Sequence, residues 1–105
     1  MELIDESGIE TTDEEVQGFM IIQAIASKLT DPLRVHMRDA KSYCAILFDD
    51  NNRKAICRLR FNNLDRLRLG VFVDGAEIVH DIDAVEGIYA FADEIEARVQ
   101  ELLAE

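Results

Sequence analysis

The fragment closest to a catalytic pattern is Asp39-Ala40-Lys41. In a metal-dependent nuclease an acid two residues before a lysine helps hold a divalent cation, and the ammonium polarises the attacking water. That chemistry needs a further acid on a neighbouring strand. Here the fragment precedes a strand run instead of ending one, and no acid sits on a partner strand. Asp49-Asp50-Asn51-Asn52 has the oxygen donors of a calcium loop but lacks its glycine and terminal glutamate, so it reads as a turn. His36 and His80 stand alone, no serine or cysteine has a histidine partner, and there is no glycine-rich phosphate loop. Cys44 and Cys57 lie inside apolar runs without a cysteine or histidine at zinc-ligand spacing, and read as two buried thiols. The expectation is a chain that is not an enzyme: no catalytic residue, no metal, no cofactor.

Charge carries more information. The chain is net −11, which opposes a polyanionic partner at long range. Yet the stretch from Arg38 to Arg68 holds eight of the eleven basic residues and four of the 22 acidic ones. It is net +4 and the rest is net −15. An acidic protein of this kind can present one local basic surface.

What must position those residues follows from length and periodicity. One hundred and five residues, 49% of them apolar, make one domain with one core. Met1 to Glu15 carries seven acids and no base, unlike a secretory signal, and no apolar run is long enough to span a membrane. The expected compartment is the cytoplasm. Residues 1–10 read as a flexible acidic lead-in and 11–105 as the domain. Thr12 with Glu15 is a capping box, and Val16, Phe19, Met20, Ile22, Ala26 and Leu29 at helical spacing predict a helix over 13–29. Asp31-Pro32 stops it. Runs at 43–48, 55–61, 66–73 and 77–80 predict four strands, with Asn51-Asn52 and Asp74-Gly75 as hairpin turns. Asp83 with Glu86 is a second capping box, and Val85, Ile88, Ala92, Ile95, Val99 and Leu102 predict a helix over 84–103. The fold class expected is α+β: a four-stranded antiparallel meander with N- and C-terminal helices on one face, in the order α-β-β-β-β-α.

Placing Asn51-Asn52 at the hairpin tip sets Asp50 against Arg53, so that opposed residues sum to 103. One face then carries Cys44, Ile46, Phe48, Ala55, Cys57, Leu59 and Phe61, all apolar, and meets the helices. The other carries Tyr43, Ala45, Leu47, Ile56, Arg58 and Arg60, continued by Arg66, Arg68, Gly70 and Phe72. With Arg38 and Lys41 nearby, the candidate binding set is Arg38, Lys41, Tyr43, Arg58, Arg60, Arg66, Arg68 and Phe72. Arginines interleaved with aromatics suit a DNA or RNA strand, because guanidiniums pair with phosphates and bases stack on rings. They suit an acidic protein partner or a second copy of the chain equally, and a solvated face whose arginines pair with local acids is the third reading. Leu47, Ile56 and Phe72 on that face favour a contacted surface.

The runs Arg38-Asp39-Ala40-Lys41-Ser42-Tyr43, Asp49-Asp50-Asn51-Asn52-Arg53-Lys54 and Ile56-Cys57-Arg58-Leu59, then Phe61-Asn62, resemble the C-terminal module of type I restriction enzyme R-subunit-like prokaryotic proteins. The likeness extends over about nine tenths of the chain. It implies a DNA-associated accessory module beside the rest of a restriction-type parent, which carries the endonuclease part. It assigns no catalytic residue to this chain.

Overall fold

The computed structural model describes residues 3–4 and 10–105. Most of the expected lead-in lies outside the described residues. At its junction with the domain, β1 (Leu3–Ile4) pairs antiparallel with β2 (Glu10–Thr11). Helix α1 (Asp13–Ala26) opens on the capping box read from the sequence. The Thr12 hydroxyl accepts from the Glu15 N–H at 3.2 Å, and the Glu15 carboxylate accepts from the Thr12 N–H at 2.9 Å. The helix ends three residues short of the expected 29, at the C-cap Ser27, and Asp31 then caps a 3-10 turn at Pro32–Arg34. Its buried face runs through Glu15, Gly18, Ile22, Ile25 and Ala26, so Met20 is 60% exposed instead of facing the core.

Five strands follow, not four: β3 (Val35–Asp39), β4 (Cys44–Phe48), β5 (Ala55–Arg60), β6 (Leu67–Val73) and β7 (Ala76–Ile82), paired antiparallel in chain order. In the sequence the period changes to two from Val35, with the first strand assigned only at 43–48; Ala40 N–H to Tyr43 O at 2.9 Å closes a tight turn that makes 35–39 a separate strand folded back on β4. Asp74 and Gly75, with φ of 53° and 81°, form the two-residue hairpin expected of them.

The β4–β5 register holds as far as Cys44↔Leu59, Ala45↔Arg58 and Ile46↔Cys57, then slips to Leu47↔Ala55. Ile56 is the extra residue of a β-bulge. The tip is not an Asn51-Asn52 turn: Phe48 N–H reaches Lys54 O, and the left-handed residues are Asp49 and Asp50. The bulge reverses two face assignments. Ile56 joins the core cluster, and Ala55 stands beside Leu47 and Arg58 on the outer side.

The C-terminal helix also divides. Val85–Phe91 is 3-10, and α2 is Ala92–Leu103. Three residues per turn put Val85, Ile88 and Phe91 in one stripe, which the helical reading folds into a single α pattern. The cap is Ala84 without a side-chain bond, so the Asp83–Glu86 capping box does not form. Ile22 and Ile25 of α1 and Ile95, Val99 and Leu102 of α2 share one core with Cys44, Ile46, Cys57, Leu59, Leu69 and Val71. Both helices therefore pack on one face of the sheet; on the other, Leu47 and Ala55 are buried and Arg58, Arg60 and Phe72 half-buried. Among the described residues no helix is long and apolar enough to cross a membrane.

Candidate anion-binding site

On the face away from the helices, alternation along β5, β6 and β7 brings Arg58, Arg60, Arg68, Gly70, Phe72 and Glu77 together. The result is not a bare row of arginines. Arg58 lies between two rings, 4.7 Å from the centroid of Tyr43 and 5.3 Å from that of Phe72. Arg60 covers Tyr43 at 5.2 Å, and Arg98 of α2 covers Phe72 at 5.2 Å while donating to Ala55 O at 2.8 Å. The five side chains form a ladder of alternating cation and ring, each contact worth about 0.5–2 kcal/mol according to how dry it is.

Glu77 neutralises the centre of the ladder. Arg60 donates to it twice, at 2.9 and 2.7 Å, and Arg58 once at 3.0 Å. The Arg60 hydrogen bonds hold the Glu77 carboxyl below its ordinary range and, in return, raise the Arg60 guanidinium. Glu77 reaches this position across Gly70, where a Cβ would overlap its carboxylate. Arg58 Nε is buried without a hydrogen-bond acceptor.

Two cavities flank the ladder. The larger, about 400 Å³, is lined by Lys41, Ser42, Arg60, Asn62, Asn63, Arg66 and Arg68. Four of its seven side chains are cationic and none is a carboxylate. Arg60 and Arg68 are direct cross-strand partners, a like-charge pairing that costs stability unless an anion offsets it. Arg60 spends its donors on Glu77, and Arg66 pairs with Asp81 at 3.1 Å, both exposed. Among the described residues, the Lys41 ammonium and the Arg68 guanidinium have no ion-pair partner. Asn62 donates to Lys41 O at 2.5 Å and so fixes the cleft wall. The second cavity, about 320 Å³, is lined by Tyr43 and Arg58 of the ladder and has Arg38, Asp39, Ala45, Leu47 and Ala55 among its other lining residues.

The eight residues picked from sequence thus separate. Lys41, Arg60, Arg66 and Arg68 line the cleft, while Tyr43, Arg58 and Phe72 build the ladder with Arg60. Arg38 lines the second cavity, bonded to Asp50 at 2.8 Å and Asn52 at 3.1 Å. Leu47 and Ile56, read as contacted surface, are 1% and 0% exposed. Sequence reasoning missed Glu77, whose signal was its alternation opposite Phe72, and Arg98, which had no signal short of the packed structure.

Asp39 and Lys41 serve different places. Lys41 lines the cleft, whereas the Thr11 hydroxyl donates to the Asp39 carboxylate, which stands beside Glu15 and Cys44. Ligand atoms of Glu15, Asp39 and Cys44 lie within 4.8 Å of one another. The Glu15 carboxylate is already bound by the Thr12 N–H. Burial raises the Glu15 carboxyl, and the Asp39 charge adds to the effect. Both cysteines are free, and burial pushes their thiols up.

Stability at this corner depends on pH with a definite sign. Folding favours the protonated form of Glu15, so its contribution to stability is fully present below the ordinary glutamate range and is lost as pH rises through the raised folded value. Glu15→Gln keeps an acceptor for the cap and can donate to Asp39. Thermal unfolding should show this variant more stable than the parent at pH 7.5, with the gap closing toward pH 4.5. A variant less stable at every pH would show that the carboxylate acts as a cap alone.

No protein-family model, curated protein or solved structure matches this chain.

Proposed function

We propose that this domain is a non-catalytic binding module whose ligand is nucleic acid, held by its phosphates in the cleft of Lys41, Arg60, Arg66 and Arg68. The observation that carries the reading is a cleft with four cationic and no acidic side chains in a chain of net charge −11. Arg60 and Arg66 pair with Glu77 and Asp81 at its rim, while Lys41 and Arg68 have no ion-pair partner among the described residues. Cross-strand opposition of Arg60 and Arg68 supports an anionic ligand, since a phosphate between them relieves the repulsion. DNA is the nucleic acid that the resemblance to restriction-type proteins favours, as an accessory to a parent's nuclease region.

Binding should therefore be strong at low salt and fall steeply as salt rises. The double variant Arg66→Ala, Arg68→Ala should weaken it for every sequence and reduce the slope of log affinity against log salt by roughly 1.4–1.8, because two phosphates are no longer neutralised. A slope unchanged in the double variant, measured by fluorescence anisotropy, would remove the cleft from the reading.

A second reading has one observation of its own. β7 forms one edge of the sheet, and its Ile78 and Val79 are 44% and 42% exposed, so a strand of another protein or a second copy can add there. Sedimentation of Val79→Lys beside the parent tests it: loss of an oligomer supports interaction through β7, and an unchanged monomer removes it.

A further inference from the structure

The second cavity differs in character from the cleft, and the difference bears on which nucleic acid binds. The bulge at Ile56 turns Ala55 to the side of Leu47, and with the half-buried Ala45 these give the cavity an apolar floor, Leu47 and Ala55 being 1% and 7% exposed. A regular hairpin would have set Ile56 there instead and filled the space. Tyr43 and Arg58 make one wall, with the guanidinium 4.7 Å from the ring centroid; Arg38, Asp39, Ala40 and Asn52 complete the lining, and Asn52, whose Oδ1 accepts from Arg38 at 3.1 Å, offers amide N–H donors. At about 320 Å³ the cavity is at the small end of ligand sites. An apolar patch, a Tyr43–Arg58 wall, and amide, guanidinium and carboxylate groups at the rim are the complement of a nucleobase, which has flat faces and a donor–acceptor edge.

The cavity is also within reach of the cleft. Arg58 lines the cavity and Arg60 lines the cleft, two residues apart on β5, about 7 Å. A single nucleotide spans that distance from phosphate to base. A base paired in a duplex exposes only its edge in a groove and cannot enter.

We propose that the Tyr43–Ala45–Leu47–Asn52–Ala55–Arg58 cavity takes one unstacked base of a strand whose phosphates lie in the adjoining cleft, so that the domain selects single-stranded over duplex nucleic acid. This rests on the cleft reading given above. The base adds affinity and the phosphates add charge pairing, and the two contributions come from different side chains. They can therefore be removed separately.

The test measures anisotropy of the 105-residue chain with three labelled probes: a short single strand of DNA, the same strand annealed to its complement, and an abasic deoxyribose-phosphate strand of equal length. The single strand should bind roughly 5- to 150-fold tighter than the abasic strand, the value of one stacked base, and tighter than the duplex. Ala45→Leu with Ala55→Leu fills the cavity and should reduce the single strand to the abasic level without changing abasic binding. Should those leucines unfold the domain, the probe comparison on the parent chain still decides. Equal binding of all three probes would overturn the base site and leave the cleft standing. Binding of none, the abasic strand included, would remove both.

Discussion

Leu59→Ala is expected to destabilise the domain by about 3 kcal/mol, and Gly18→Ala is expected to change sign depending on whether Leu59 is present. Leu59 is fully buried at the centre of β5. The bare face of Gly18 lets α1 settle onto it. A Cβ at residue 18 would lie 2.8 Å from Leu59 Cδ1 and 3.3 Å from Ile88 Cδ1. In the parent, Gly18→Ala therefore overpacks a filled core, at about 1–3 kcal/mol, against a helix-propensity gain of about 1 kcal/mol. In Leu59→Ala the obstructing atoms are gone, and the same methyl both fills space and favours the helix. Denaturant unfolding of the two single variants and the double should show Gly18→Ala as destabilising in the first background and stabilising in the second. Additive effects would mean that α1 shifts freely over the sheet and that the close approach is not a constraint.

The same β5 strand shows what the sequence discloses and what it conceals. The capping box at Thr12, the Asp74-Gly75 hairpin and the apolar face through Cys44, Ile46, Cys57 and Leu59 were legible because each depends on a local pattern, and the structure has each one. The bulge was not legible. Ile56 and Cys57 are both apolar, so the alternation reads equally well in either phase past that point, and only the six-residue connection with Asp49 and Asp50 left-handed decides the register. β3 was missed for a related reason: in Val35-His36-Met37-Arg38-Asp39 only Val35 is fully buried, so the alternation on this edge strand is weak. At the candidate site, alternation correctly put Arg58, Arg60, Arg68 and Phe72 on one face. It was silent on which arginines are engaged, because that depends on a glutamate 17 residues from Arg60 crossing a glycine in the strand between them.

That crossing leads to the other large expectation: Glu77→Ala should weaken the fold and strengthen anion binding at once. Glu77 accepts three hydrogen bonds from Arg58 and Arg60, and its side chain is 14% exposed against 31% and 24% for theirs. Removing it strands two guanidiniums on a partly buried face. Discounted for that remaining exposure, the cost is about 2 kcal/mol. The loss should be visible at neutral pH and should shrink in acid. Glu77 is held below its ordinary carboxyl range, so its contribution is present above that range and is lost as pH falls through the depressed folded value. Binding should move the other way. The variant returns Arg60 donors to the cleft that already holds Lys41, Arg66 and Arg68 and removes a negative charge beside it. A phosphate strand should then bind roughly tenfold tighter at low salt, with a salt dependence steeper by about 0.7–0.9 for each additional phosphate neutralised. Glu77→Gln separates the two parts, since it keeps an acceptor for the arginines while removing the charge, and should recover stability more than it recovers the parent affinity. If Glu77→Ala lowers stability with no improvement for any anion, the arginine face is a structural ladder, and the cleft binds through Lys41 and Arg68 or not at all.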